Sequence, residues 1–235
     1  MKELMAAEGE TLCEHIDVAL DKYYEVFFSK GYGKFIAKRL KRLSIYKDCE
    51  VLTSLAILLH DSGKAHFRYQ ANLNRPGIPH EAYSAAIAWN ALLLDEEEKG
   101  IVAAAILLHH EYMRLPNPNG VIEDFNGYIE ELRAIIQKVA SKHGLELYLD
   151  ISKITSLSRD DVREVVRRLD KKLGSKDGRF YLCTTLILHP LVICDNLSAA
   201  IHRRRGGPPR LLKDVEDPKI TSYLQDHLRK VLGIV

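Results

Sequence analysis

Histidine and aspartate close two of the most apolar stretches of this chain. LAILLHDSGK (residues 55–64) runs into His60 and Asp61, and AAAILLHHEY (residues 103–112) runs into His109 and His110. Leu, Ile and Ala bury readily, whereas imidazole and carboxylate are costly to bury without a partner. Two buried helix ends carrying such pairs are expected to deliver ligands to one place. Three further residues are comparably set: His15 in an amphipathic segment, His80 just after a proline-containing loop, and Asp195 inside the apolar run LVICDNLSAAI. An ionised carboxylate in that last setting needs a cation. Any one of these residues alone is more often a satisfied structural group. Their joint pattern is what points to a metal centre.

Adjacent residues on a helix point about 100° apart, whereas i and i+4 share a face. One ion therefore does not easily take both His60 and Asp61 unless the helix frays there. Two ions side by side do, with the aspartate reaching both. Imidazole and carboxylate donors suit divalent transition metals such as Mn, Co, Ni or Fe better than Ca, which prefers all-oxygen shells, and two divalent ions, of Mn, Mg, Co, Ni or Fe, are the expected cofactors. Two metals about 3.5–4 Å apart are the usual means of activating water against a phosphodiester. Lys64 follows in the order HDSGK. Gly63 is expected to turn the chain so that the ammonium swings back to neutralise a phosphate oxygen; the plainer alternative is a lysine satisfying a helix C-terminus. His66, His143, His189, His202 and His227 have no such placement and read as structural or solvent-facing.

Nearly every periodic segment reads as helix. Helical spacing covers residues 11–30, a basic piece at Ile36–Leu43, a buried helix at Val51–His60, and a helix over about 80–94. A polar turn is expected at Asp95–Gly100, then a second buried helix at Ile101–His110. LPNPNG (residues 115–120) breaks regular structure. Amphipathic helices follow at Ile129–Lys142 and Arg159–Leu173, and an apolar stretch at Phe180–Ile201 in which Pro190 is expected to begin a fresh helix. A short helix near Ile220–Leu232 closes the chain. No β-hairpin is expected, and LELYLDI near residue 147 is the one strand candidate. The expectation is a single all-α domain over residues 1–235.

Together, His15, the His60–Asp61 doublet, His80, the His109–His110 doublet and Asp195 resemble the HD superfamily of metal-dependent phosphohydrolases. HDxGK with a downstream His-His doublet is similar to its two-metal branch, and most like the free-standing CRISPR-associated HD nuclease, the nuclease part of the type I interference helicase–nuclease. The resemblance runs from about residue 10 to 205. It implies a compact HD-domain helical bundle, with His15, His60, Asp61 and Asp195 on one metal. Asp61 would bridge to a second metal on His80, His109 and His110, and Lys64 would assist at the phosphate. It also implies metal-dependent cutting of single-stranded DNA, or RNA, in antiviral defence, with a separate helicase and a CRISPR surveillance complex as partners. No GxxxxGK[ST] loop is present, so the chain carries no helicase motor of that kind. The triplet His109-His110-Glu111 also resembles the HD-GYP phosphodiesterases of cyclic dinucleotides, but YMRLPNPNG stands where their Gly-Tyr-Pro signature would follow. A small nucleotidase would need one metal and leave the His-His doublet without a role. A degenerate HD interaction module would lack ligands, and none of the seven is missing.

A nuclease must hold a polyanion, and the net charge of +2 means that local clusters must do so. KRLKR (residues 38–42) and RRRGGPPR, with Arg203, Arg204, Arg205 and Arg210, are the candidates. Arg68, Tyr69 and Tyr112 adjoin the metal motifs and could contact nucleotides. With 46% hydrophobic and 28% charged residues, the composition is that of a globular chain rather than a disordered one. The charged N-terminus shows no signal peptide, and no apolar run is expected to approach the ~20 residues that cross a membrane. Four scattered cysteines without a CxxC pair argue against a zinc ribbon or disulfide framework and fit a reducing cytoplasm.

Overall fold

The structure, a computed structural model, describes residues 2–32, 34, 49–74, 77–110, 122–176 and 178–202. The basic piece at Ile36–Leu43 with KRLKR, Glu111 and Tyr112, LPNPNG, Arg203, Arg204, Arg205, Arg210 and the closing helix lie outside them.

Among the described residues, eight α-helices dominate: α1 (Leu12–Val26), α2 (Cys49–Leu59), α3 (Phe67–Ala71), α4 (His80–Ala91), α5 (Glu96–Leu108), α6 (Ile129–His143), α7 (Arg159–Leu173) and α8 (Arg179–His202). The all-α expectation holds. α2 packs against α1, α5 and α8, so it is walled in on several sides. That is why LTSLAILL can be buried on every face: all eight residues from Leu52 to Leu59 are buried, and the Thr53 and Ser54 hydroxyls donate back to the Cys49 and Glu50 carbonyls. Each leucine hidden this way contributes about 1.5–3 kcal/mol relative to exposure. α4 packs on α5 and on the turn after α2, which brings the ends of three helices together.

Several expectations are corrected. A small antiparallel hairpin, β1 (Met5–Ala7) with β2 (Glu10–Thr11), precedes α1, and Gly9 takes the left-handed conformation its tight turn needs, φ 78°. LELYLDI is not a strand but two short 3-10 turns, Glu146–Tyr148 and Ile151–Lys153, with one isolated bridge from Leu149 to Leu92. Residues 95–100 are not a turn. Asp95 caps α5 by accepting from the Glu98 amide at 2.8 Å, and Glu96, Glu97 and Glu98 occupy the dipole-favoured first turn. Pro190 does not begin a helix either; α8 runs straight through it. Proline cannot donate to the Leu186 carbonyl, and the Tyr32 hydroxyl does so instead, at 3.0 Å. With 24 residues and a mean hydropathy of 1.4, α8 is long and apolar enough to cross a membrane, contrary to expectation, yet half of that window is buried inside the protein.

Candidate metal centre

The seven expected ligands converge, and each comes from the end or inner face of an element. α1 carries His15. α2 stops at Leu59, leaving His60 and Asp61 beyond it, and Asp61 sits at φ −106°, ψ 8°, off the helical backbone. This break lets two sequence neighbours face one centre. His80 opens α4, His109 caps α5 with His110 next, and Asp195 projects from the middle of α8. Two groups of ligand atoms form, each within 4.8 Å: His15, His60, Asp61 and Asp195 in one, Asp61, His80, His109 and His110 in the other.

Asp61 belongs to both. Its Oδ2 lies 3.3 Å from His15 Nε2 and 3.4 Å from His60 Nε2. Its Oδ1 lies 3.4 Å from His80 Nε2 and 3.9 Å from His109 Nε2. Asp195 Oδ1 completes the first group, 3.0 Å from His15 Nε2 and 3.6 Å from His60 Nε2. In the second, His80 Nε2 and His110 Nε2 are 3.0 Å apart.

The outer nitrogens fix how the rings face. His60 Nδ1 donates to the Ile57 carbonyl at 2.7 Å, and His109 Nδ1 to the Ile106 carbonyl at 2.5 Å. A carbonyl only accepts, so Nδ1 carries the proton and Nε2 turns to the centre. His15 does the same with Glu10 Oε1, at 2.6 Å. Asp61 Oδ1 and His109 Nε2 are buried without a hydrogen-bond partner. Buried acceptors left bare in this way are costly, and a divalent cation satisfies both. The donor set, imidazole nitrogen and carboxylate oxygen, therefore fits such an ion.

Burial pushes His80 down to about 4 and His109 to about 3; the His110 ring, packed on His109 and His80 while the residue keeps an exposed edge, is desolvated to about 4 as well, so all three are neutral near pH 7. His15 goes the other way. Burial opposes its charge, but hydrogen bonds to Asp195 and Glu10 and the nearby Asp61 hold it at about 9. Asp61 stays well below the usual carboxylate range: burial works against its charge, and Lys64 and His60 outweigh burial. Lys64 is itself buried, with Nζ 2.6 Å from Asp61 Oδ2. Burial opposes its charge too, but Asp61 more than compensates, raising its pKa. The lysine thus lies on the shared carboxylate.

His66 is structural, as expected: it caps α3 by accepting from the Arg68 amide at 3.0 Å and donates to the Asp124 carbonyl. Arg68 is half exposed and ion-paired with Glu123 at 3.1 Å. His143 joins Asp17 and Asp21 in an exposed acidic group where Lys142 already supplies the cation. Sequence reasoning missed Glu10, whose only signal was its place five residues before His15.

No family model matches the sequence, and no curated protein matches it. Among solved structures, the chain is similar to the CRISPR-associated Cas3 HD domain protein from Methanocaldococcus jannaschii, with a TM-score of 0.61 at 25% identity. The match covers 82% of this chain and all of that one. The fold is the all-α HD-domain fold, and the histidine–aspartate groups fit an HD-type metal site. Together they support a metal-dependent hydrolase of HD type.

Proposed function

We propose that this chain is a two-metal HD nuclease that hydrolyses phosphodiester bonds of single-stranded DNA, with RNA as a further substrate. It would act in the cytoplasm in CRISPR interference, beside a separate helicase and a surveillance complex. The observation that carries the reading is Asp61, one buried carboxylate whose two oxygens face two separate ligand groups. His15, His60, Asp61 and Asp195 would hold one ion, and Asp61, His80, His109 and His110 the other. Such ions supply an activated water and neutralise charge at the phosphate. The protein supplies the rest. Rings locked through Nδ1 keep their Nε2 atoms aimed without further ordering. Lys64, charged and fixed beside Asp61, offers a donor to a phosphate oxygen. His110 is exposed and the His80 and Asp195 side chains are partly open, at 13% and 14%, so substrate reaches the centre from that edge. Arg203, Arg204, Arg205 and Arg210 follow α8 in sequence and would track the backbone, joined by Arg68 once it leaves Glu123.

The test is a cleavage assay on chelator-stripped protein with labelled single-stranded DNA, duplex DNA, RNA, a cyclic dinucleotide and a dNTP, each with Mg, Mn, Co or Ni. Metal-dependent shortening of single-stranded DNA that disappears in a folded Asp61→Ala protein supports the proposal. Activity that survives this change overturns the shared-carboxylate mechanism. Turnover of the cyclic dinucleotide alone, or of the dNTP alone, keeps the metal centre and replaces the nuclease.

A further inference from the structure

Glu10 takes no part in the proposed chemistry, yet it is fully buried beside the metal centre. Its Oε1 accepts from His15 Nδ1 at 2.6 Å and lies 3.1 Å from His202 Nδ1, at the far end of α8. The hairpin exists in a form that puts it there. Gly9 makes the turn, and β1 is tied to α3 by three bonds: Gln70 exchanges two with Met5, and the Tyr69 hydroxyl donates to Ala6. Gln70 also donates to the Lys64 carbonyl, so one side chain braces both the hairpin and the lysine. On the other side the Ser198 hydroxyl donates to the His15 backbone carbonyl at 2.9 Å. His15 is thus held at its backbone by α8 and at its ring by the hairpin.

We infer that Glu10 is a positioning residue for metal binding, a carboxylate that fixes the His15 ring so that Nε2 meets the ion shared with His60, Asp61 and Asp195. His60 and His109 achieve this with carbonyls of their own helices, three residues back. His15 lies within α1, where the preceding carbonyls serve the helix ladder, so its partner must come from another element. A carboxylate behind a ligating imidazole also raises its basicity, and losing such a partner typically weakens metal binding 10- to 100-fold. The inference rests on the metal-centre reading, and the experiment separates the two.

The experiment compares the full chain with Glu10→Gln and Glu10→Ala. In the metal-free proteins, NMR should find the His15 Nδ1 proton shifted downfield and protected from exchange. Glu10→Gln should keep it with a smaller shift, and Glu10→Ala should lose it. In Mn titrations of the stripped proteins, affinity at the His15 group should fall about 10- to 100-fold in Glu10→Ala and less in Glu10→Gln. The His80, His109 and His110 group should keep its affinity. A folded Glu10→Ala protein that binds both ions as the wild type does overturns the inference, as does absence of the protected proton in the wild type. Should Glu10→Ala not fold, Glu10→Gln decides, and wild-type affinity with an unmoved resonance refutes it. A wild-type chain that takes up no ion sinks the metal-centre reading, while the proton resonance and its response to substitution still decide what Glu10 does.

Discussion

Gly63 was expected to give the chain freedom to turn, but its surroundings assign it a different job. It is not in the left-handed region. A Cβ built on it would stand 2.1 Å from the His80 carbonyl oxygen, 3.0 Å from the His80 carbonyl carbon and 3.0 Å from the Ser84 amide nitrogen. Its own amide donates to the Ser84 hydroxyl at 2.8 Å. Glycine is required because the turn after α2 lies directly on the first turn of α4. Replacing Gly63 by alanine must therefore move backbone against backbone by about 1 Å, and the piece that moves carries either His80 or Asp61 and Lys64. Overpacking of this kind costs about 1–3 kcal/mol, which for a chain of this size lowers the melting temperature by roughly 2–12 °C. The functional loss should exceed the loss of stability, since a misplacement of about 1 Å at a reacting centre can cost 10²-fold in rate. The assay is a thermal melt of the stripped protein, Mn titration, and cleavage measured well below the melting temperature. Ser62→Ala, which removes only a bond to the Leu59 carbonyl, is the control. Gly63→Ala with wild-type melting, metal uptake and turnover would refute the idea that close approach, rather than flexibility, places a glycine here.

Other outcomes follow from single contacts. Tyr32→Phe leaves the Leu186 carbonyl without the donor that Pro190 cannot provide, and should cost about 1 kcal/mol, or 2–4 °C of melting temperature; an unchanged melt would mean that water replaces the hydroxyl freely. The metal-free chain should lose stability as pH falls from about 6.5 toward 4. Over that window the unfolded chain binds protons that His80, His109 and His110, held near 4, 3 and 4, refuse in the fold. His15 has the opposite sign: held at about 9, its contribution is whole below 6.5 and lost as pH rises through 9. Melts from pH 4 to 10 should therefore peak near 6.5, and a flat acid limb would contradict the lowered pKa values of the three rings. Mn added to stripped protein at 100 times its Kd should raise stability by about 2.7 kcal/mol per ion, with proton release at the His15 group below pH 9 that pH-stat titration would detect.

The parts of the fold legible from the sequence were those whose signal is periodic or chemical. Arg159–Leu173 appears with the expected boundaries because its amphipathic pattern is bracketed by a capping box between Ser158 and Asp161. The cluster of seven candidate ligands was legible because imidazoles and carboxylates stood among Leu, Ile and Ala, where so many titratable groups can be buried together only if they share partners or ions. What escaped were features set by contact across the chain. A hairpin with strands of three and two residues has no period to detect, so nothing in the sequence marked Glu10 out. Pro190 looked like a helix start because proline usually is one, and only Tyr32, far away in sequence, supplies the donor that lets α8 continue. The run at residues 95–100 looked like a turn because its polarity came from an N-cap and three glutamates, which mark a helix start just as well.

The two tetrapeptides ILLH at residues 57–60 and 106–109 share one physical device. In each, the last turn of an apolar helix leaves carbonyls without partners, and the histidine at its end bends back to bond the isoleucine carbonyl three residues earlier. One bond does three things. It occupies a carbonyl of the last turn, which at Ile106 also accepts from the His109 amide at 3.4 Å, marks where the helix stops, and fixes the proton on Nδ1 so that Nε2 faces the centre. The residue that follows is then released from helical geometry, which is how Asp61 and His110 come to stand beside His60 and His109 rather than about 100° around a helix from them. The doublets that looked geometrically awkward are therefore a consequence of where the helices end, each at a histidine whose ring turns back on its own last turn.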